Sequence, residues 1–356
     1  MANKVLMKGN EALAEAAIRA GCKHFFGYPI TPQTEVSAYM AKKMPKIGGV
    51  FLQAESEVAA INMVYGAGGA GARVMTSSSS PGISLKQEGI SYIAGADVPC
   101  VIINIVRGGP GLGGIQPAQS DYYQAVKGGG HGDYHLVVLA PSSIQEMVDL
   151  TSDAFDIGDK YRCPVMIMGD GMLGQMMEPV EFKDTDVTNL PEKEWATTGT
   201  DMKRKKNIIN SLFIEPKDLE DLVLARQKKY EEIEKNEVRY ECEDIEDADI
   251  ILVAYGTTAR IAKTAMAKAK EKGLKVGIIR PITLWPFPYE AFENALKDGK
   301  KKTFLAVEMS MGQMVDDVKI AVNGRADVEF FGRTGGIVPT PNEILNKIEE
   351  IAGGDK

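Results

Sequence analysis

Gly27-Tyr28-Pro29-Ile30-Thr31-Pro32 and Phe51-Leu52-Gln53-Ala54-Glu55 are two short runs that each stop at a polar side chain where a helix begins. Parallel α/β sheets bind ligands at that position, beyond the carboxyl ends of their strands. Thr31 followed by Pro32 reads as an N-cap and an N1 proline, which would aim the free N–H groups of a helix back at the strand end. Such an end suits a small carboxylate. Glu55 closes the run from Val50 to Ala54 and precedes the helical start Glu57-Val58-Ala59-Ala60-Ile61, so its carboxylate is expected at the sheet edge.

Outward from this pair, helix and strand patterns alternate. Glu11 to Ala20 carries Leu13, Ala16, Ala17 and Ala20 on one face and ends at Gly21, just before the strand Phe25 to Tyr28. Further strands are expected at Val50 to Ala54, Arg73 to Ser77, Pro99 to Val106, Leu136 to Ala140 and Pro164 to Met168. Ser142 with Gln145, and Ser143 with Glu146, offer overlapping capping boxes for a helix running to about Asp159. The pattern predicts a doubly wound, mainly parallel sheet. Beyond residue 182 the texture changes: Asp184 to Lys206 is polar, and Glu215 to Val238 is a charged helix. A second alternation begins at Ile250 to Ala254, with Thr257 or Thr258 as N-cap of a helix to Lys272. Strands follow at Lys275 to Ile279, Thr303 to Val307 and Val328 to Phe331. The expected division is 1–181, a connector over 182–245, and a smaller α/β unit over 246–356.

A chain of 356 residues with 44% apolar and 25% charged content can bury two substantial cores. Its net charge of -8 argues against nucleic acid or an anionic membrane as partner. The basic run Lys203-Arg204-Lys205-Lys206 reads as a solvated face. No apolar stretch approaches a membrane span, and Met1 to Asn10 has no signal-peptide core, so a cytoplasmic protein is expected. Cys22, Cys100, Cys163 and Cys242 are too dispersed for a zinc or iron–sulfur pattern and read as buried thiols, and no metal ligand is expected in this chain. His24, His131 and His135 include no metal spacing. His131, inside Gly128-Gly129-Gly130-His131-Gly132-Asp133, is open to a tight-loop or a functional reading.

Two segments match G-x-G-x-x-G, and neither has the context of a dinucleotide site. Gly66 to Gly71 follows a helix and reads as a helix end packed on the sheet. Gly109 to Gly114 follows a strand, but Pro117 interrupts the helix that the motif requires, so a loop over a ligand is expected. A nucleotide-dependent dehydrogenase is therefore disfavoured. Thr76-Ser77-Ser78-Ser79-Ser80-Pro81-Gly82 reads equally as a phosphate cradle or a polar strand-to-helix loop. Arg107, at the end of a strand beside this edge, is a candidate carboxylate clamp. A non-enzymatic scaffold would explain the missing phosphate and metal motifs, but not the polar residues gathered at strand ends.

Taken together, Gly27 to Pro32, Gln53-Ala54-Glu55, Thr76 to Gly82, Arg107-Gly108-Gly109-Pro110-Gly111 and Gly128 to Tyr134 resemble the alpha subunit of 2-oxoacid:ferredoxin oxidoreductases over nearly the whole chain. Phe51 to Val58 and Ser77 to Gln87 are most similar to the branched-chain type, which uses 3-methyl-2-oxobutanoate, with the 2-oxoglutarate type as alternative. The resemblance implies a doubly wound domain that holds the pyrimidine half of thiamine diphosphate and a smaller domain similar to the transketolase C-terminal domain. It also implies a beta subunit carrying the diphosphate and magnesium (Mg2+) site, ferredoxin-like and gamma subunits with [4Fe–4S] clusters, coenzyme A as co-substrate and ferredoxin as electron acceptor. Gly169-Asp170-Gly171 resembles the opening of the family's diphosphate motif, but Asn189 comes too early to complete it. By the same resemblance Glu55 bonds the pyrimidine ring nitrogen and favours the tautomer that deprotonates the thiazolium carbon. The resemblance further implies that Thr31 and Arg107 hold the substrate carboxylate and that Tyr28, Pro29, Ile30, Ser79, Ser80 and Gly82 contact the cofactor. Glu57 is the rival to Glu55, expected merely to complement the helix dipole.

Overall fold

A computed structural model describes residues 4–183, 187 and 190–353. The first part of the chain runs β1 (Val5–Lys8), α1 (Gly9–Arg19), β2 (His24–Gly27), α2 (Thr34–Lys43), β3 (Val50–Gln53), α3 (Glu57–Gly69), β4 (Val74–Ser78), α4 (Pro81–Gly95), β5 (Cys100–Val106), α5 (Tyr122–Val126) and β6 (Val137–Leu139). It continues through α6 (Ile144–Tyr161), β7 (Pro164–Asp170), α7 (Gly171–Gln175), β8 (Met177–Val180), α8 (Pro216–Asn236), β9 (Tyr240–Glu243), β10 (Ile250–Val253) and α9 (Gly256–Glu271). The last elements are β11 (Val276–Pro281), β12 (Thr283–Trp285), α10 (Tyr289–Leu296), β13 (Thr303–Glu308), α11 (Met314–Val322), β14 (Asp327–Gly332) and α12 (Pro341–Gly353).

Seven strands form the larger sheet in the order β12-β6-β7-β5-β4-β2-β3. All are parallel except β12, which runs antiparallel to β6. Helices α1, α2 and α6 pack together, and α3 packs against α4. Both faces are thereby covered, and every residue of β5 and β7 is buried, as apolar central strands of such sheets must be. The chain leaves β2 toward β3 and then crosses back to β4 on the other side of β2. That reversal is the topological switch point, where a crevice opens beyond the strand ends.

The smaller sheet has the order β14-β13-β10-β11-β9. Two features differ from the sequence reading of the boundaries. Tyr240–Glu243, assigned to the connector, pairs antiparallel with β11, and Thr283–Trp285 crosses over to extend the larger sheet. The two units are also joined through Gln119, which is buried. Its side chain donates to the Tyr255 carbonyl at 2.9 Å and accepts from the Met309 N–H and the Thr258 hydroxyl, both at 3.0 Å. Parts of the polar connector, 184–186 and 188–189 with Asn189 among them, lie outside the described residues.

Most local readings have visible causes. Ser143 caps α6, accepting from the Glu146 N–H at 3.1 Å, while Glu146 accepts from the Ser142 N–H at 2.8 Å. The glycine run at the end of α3 lets Gly68 meet Val98 and the Pro99 carbonyl, with no room for a Cβ. Cys22, Cys100 and Cys163 are buried thiols, but Cys242 is exposed on the edge strand β9. The N-terminus of α2 departs from expectation. The helix starts at Thr34 after Gln33, so Thr31 is not its N-cap and Pro32 is not its first residue. The α9 N-cap is Tyr255, one turn earlier than Thr258, whose hydroxyl donates to the Tyr255 carbonyl.

Candidate active site

The carboxyl ends of β2, β3, β4 and β5 meet at the switch point, and each delivers functional side chains. Strand β4 ends in Thr76, Ser77, Ser78, Ser79 and Ser80, all buried. Ser77 donates to Gln33 at 2.6 Å, tying the β2 loop to β4. The hydroxyls of Thr76, Ser78 and Ser79 and the Nε of Arg107 are buried without a protein partner. Buried polar groups are nearly always hydrogen-bonded, to protein, water or ligand, so this concentration makes the edge the candidate ligand site. A cleft of about 810 Å³ between the Lys127–Leu136 loop, the end of α8 and Trp285 lies at the other end of β6. None of these unpartnered groups lines it.

Ser80 has φ 26° and ψ -84°, an unfavourable left-handed-side conformation for a residue with a Cβ. A network holds it there. Its N–H donates to Asn104 at 3.2 Å, and its hydroxyl receives the Arg107 N–H at 3.1 Å. Asn104 in turn donates to Asp121 at 3.0 Å. Burial raises the Asp121 carboxyl above the usual carboxylate range, with hydrogen bonds from Asn104 and Ser80 opposing it. Pro81 then occupies the first turn of α4, where its missing N–H costs nothing.

Arg107 is 7% exposed and clasps two loops: it donates to the Thr31 carbonyl at 2.9 Å and to the Leu112 carbonyl at 3.1 Å. The structure thus brings Thr31 and Arg107 together, although Thr31 offers its backbone oxygen and its side chain is exposed. Arg107 also roots a closed loop, through its bridge to Pro117 and the Gly108–Gln116 hydrogen bond. Leu112 and Ile115 project from that loop into solvent, 83% and 56% exposed. Tyr28 and Pro29 are exposed and Ile30 half-buried on the rim, while Ser79, Ser80 and Gly82 are buried deeper.

The two glutamates exchange the places expected of them. Glu55 is exposed in the turn after β3. Ser56 caps α3, accepting from the Ala59 N–H at 3.1 Å, and Glu57 follows as the first helical residue, 6% exposed. The reason is helical phase: Glu57, Ala60, Ile61, Val64 and Gly68 share the buried face of α3. A Cβ added to Gly82 would lie 2.7 Å from Glu57 Oε1 and 2.0 Å from Ser78 Oγ, so α4 can approach both oxygens only with glycine at this position. Lys86, one turn further along α4, is fully buried, and its amine donates to the Glu57 carbonyl at 3.5 Å. Burial pushes that amine down to about 8, against the opposing pull of the Glu57 carboxylate.

Sequence reasoning weighed Glu57 only as the rival of Glu55, and it missed Lys86, Asn104, Asp121 and Gln33 as parts of this edge. The spacing of Glu57 to Ile61 and Val64 was the available signal. His131 is exposed, edge-on to Tyr92, and its carbonyl accepts from Ser91 at 2.6 Å, consistent with the tight-loop reading. Asp170 caps α7, accepting from the N–H groups of Met172 and Leu173, and burial raises its carboxyl.

Residues 15–244 match the family model described as pyruvate flavodoxin/ferredoxin oxidoreductase, thiamine diphosphate-binding, and residues 248–344 match core domain II of pyruvate:ferredoxin oxidoreductase. The chain belongs to the 2-oxoacid:ferredoxin oxidoreductase family. A ketoisovalerate oxidoreductase subunit VorB from Methanothermobacter marburgensis is 52% identical over 348 residues, 98% of each chain. The solved 2-oxoglutarate:ferredoxin oxidoreductase from Magnetococcus marinus superposes with a TM-score of 0.86 at 28% identity, covering 98% of this chain and 65% of that one. A split-gene transketolase superposes at a TM-score of 0.59 with 13% identity over 97% of each chain, a likeness of fold. The expected fold class, a thiamine-diphosphate-binding α/β domain joined to a transketolase-like one, is therefore met. The residues at the switch point also suit a planar heterocycle: the buried Glu57 carboxylate and several unpartnered hydroxyls lie there.

Proposed function

We propose that this chain is the pyrimidine-holding subunit of a complex that oxidises 3-methyl-2-oxobutanoate to its acyl-CoA and carbon dioxide, with ferredoxin as electron acceptor. The observation that carries the reading is Glu57, a buried carboxylate at the switch point beside unpartnered hydroxyls, in a chain 52% identical to a ketoisovalerate oxidoreductase subunit. When bound, thiamine diphosphate supplies a carbon nucleophile for the 2-oxoacid carbonyl. Glu57 would take the role first expected of Glu55, accepting a hydrogen bond from the pyrimidine ring and stabilising a proton there. A positioned acid–base group of this kind commonly contributes about 10²- to 10⁴-fold in rate. Ser79, Ser80 and Gly82, buried at the strand end, would hold the cofactor, with Tyr28, Pro29 and Ile30 at the rim. Arg107, with Nε–H unpartnered, holds the substrate carboxylate beside Thr31.

The partner readings rest on what this chain presents around the site. Val58, Leu85 and Leu112 are exposed apolar side chains near the mouth, as a surface covered by another subunit requires. That subunit, beta, is assigned the diphosphate and magnesium site. Ferredoxin-like and gamma subunits are assigned the [4Fe–4S] clusters, and coenzyme A serves as acyl acceptor. No helix of the described residues is long and apolar enough to cross a membrane, and the four free cysteines support a reducing compartment such as the cytoplasm.

The substrate assignment has a structural argument of its own. The loop from Gly108 to Pro117 offers Leu112 and Ile115 but no cation, and Lys86 is packed between α3 and α4 rather than under that loop. A distal carboxylate would be buried without a partner. The test is kcat/KM for 3-methyl-2-oxobutanoate against 2-oxoglutarate on the reconstituted complex. A preference for 2-oxoglutarate would replace this substrate reading with the alternative one.

A further inference from the structure

From Asn207 to Ile214, in the connector, burial alternates residue by residue. Asn207, Ile209, Ser211 and Phe213 are half-buried, while Ile208, Asn210, Leu212 and Ile214 are exposed. A period of two is that of an extended chain. Its inner side is seated on the C-terminal ends of two helices. Ile209 lies 3.5 Å from where a Cβ on Gly69 of α3 would stand, and Ser211 lies 3.2 Å from the same position on Gly95 of α4. Asn207 adds an anchor, its side-chain amide donating to the Glu194 carbonyl and, at 2.9 Å, to the Ala196 carbonyl. The segment is thus fixed at the ends of α3 and α4 opposite the switch point.

The outer side of the segment is apolar. Ile208, Leu212 and Ile214 are 68%, 73% and 81% exposed, on the face that an exposed strand ordinarily fills with polar side chains. The backbone is open as well. Residues 204–214 make no backbone–backbone hydrogen bond, and the Leu212 N–H donates to the Asn210 side chain at 2.8 Å. An unpaired apolar strand is a template for pairing with another chain. Immediately before it, Lys203, Arg204, Lys205 and Lys206 are all exposed, and among the described residues none of them pairs with a carboxylate. In a chain of net charge -8, four cations without a counter-charge beside an apolar strip are a local reversal of sign.

We propose that residues 203–214 are a docking strip for an extended acidic segment of a partner subunit. The partner segment adds as a strand beside Asn207–Ile214, covers Ile208, Leu212 and Ile214 with its own apolar side chains, and places carboxylates against Lys203–Lys206. In strand addition the main-chain hydrogen bonds supply affinity, and the alternate side chains and charges select the partner. An anionic bilayer is the poorer occupant, because an extended backbone with unpaired N–H and C=O groups is costly wherever it enters hydrocarbon. This rests on the chain working in a complex of subunits, as proposed above, but not on the role of Glu57 or on the substrate.

The test is amide hydrogen exchange of residues 203–214, read by mass spectrometry in the full chain alone and in the reconstituted complex. Exchange in the chain alone should be fast at every concentration, and in the complex it should slow by about 10-fold or more. Leu212→Asp, and separately Lys203→Glu with Lys205→Glu, should restore fast exchange in the complex while leaving the thermal midpoint of the chain alone unchanged, since these side chains are exposed. Exchange as fast in the complex as in the chain alone, or slowing in the complex that neither variant reverses, would overturn the proposal. Slowing in the chain alone that grows with its concentration would assign the strip to a second copy. Slowing on phosphatidylglycerol vesicles but not in the complex would assign it to a membrane, and either result would overturn the proposal. If the complex turns over 3-methyl-2-oxobutanoate with the strip unprotected, the docking fails and the proposed function stands; if the wild-type chain joins no partner subunit, both fail.

Discussion

Replacing Lys86 by methionine should stabilise the folded chain, and the gain should depend on pH in a defined direction. Burial moves the amine from 10.5 to about 8, so the folded state binds this proton more weakly than the unfolded state. The resulting penalty on folding is fully present below about pH 8, shrinks as pH rises from there, and vanishes above the unfolded value near 10.5. At about 1.36 kcal/mol per pKa unit, the shift corresponds to about 3 kcal/mol at pH 7. Methionine is close in volume and has no proton to lose, so repacking should cost less than about 1.5 kcal/mol. Urea denaturation of wild type and Lys86→Met at pH 7, 9 and 10.5 reads this directly. The variant should be the more stable at pH 7, and the difference should shrink steadily toward pH 10.5. A difference independent of pH, or a variant less stable at pH 7, would refute the claim that a strained charge is buried at this position.

Gly82→Ala should damage the site without unfolding the sheet, since its Cβ would fall 2.0 Å from Ser78 Oγ and 2.7 Å from Glu57 Oε1. A loss of about 1–3 kcal/mol by denaturation is expected, with a larger loss of thiamine diphosphate affinity in the complex. Gln119→Ala leaves the Met309 N–H without its partner at the junction of the two sheets. It should cost about 1–3 kcal/mol and increase proteolytic cleavage between the units, measured by limited proteolysis.

The alternation of elements was legible because a parallel sheet covered on both faces forces unbroken apolar strands such as Cys100–Val106, and helix stops such as Gly21 and Gly273 are local signals. Which of the two glutamates faces inward turned on helical phase, legible in the spacing of Glu57 to Ile61 and Val64 but outweighed by the place of Glu55 at a strand end. Glu55, two residues earlier, lies outside the helix, in the turn before its Ser56 cap. The cap is Ser56, as a helix starting at Glu57 requires, and that start puts Glu57 on the Ile61 face. Thr31-Pro32 misled for a related reason: an N-cap and N1 signature is also a turn signature, and the chain takes one more turn before α2 begins at Thr34. Residues joined only in space, such as Asn104 with Asp121 and Lys86 with Glu57, have no sequence spacing to betray them. Edge strands β9 and β12 are short and mixed in pattern, so their place in the sheets depends on partners far along the chain.

Glu57 is the carboxylate proposed to activate thiamine diphosphate from this chain. The most direct test is the rate of thiazolium C2 proton exchange in the reconstituted complex carrying Glu57→Gln or Glu55→Gln, at saturating cofactor. An amide keeps the shape of Glu57 but cannot stabilise a protonated ring nitrogen, so Glu57→Gln should slow exchange by about 10²-fold or more. Glu55→Gln, altering an exposed side chain, should stay within a few-fold of wild type. Slow exchange in Glu55→Gln with near-normal exchange in Glu57→Gln would contradict this role for Glu57.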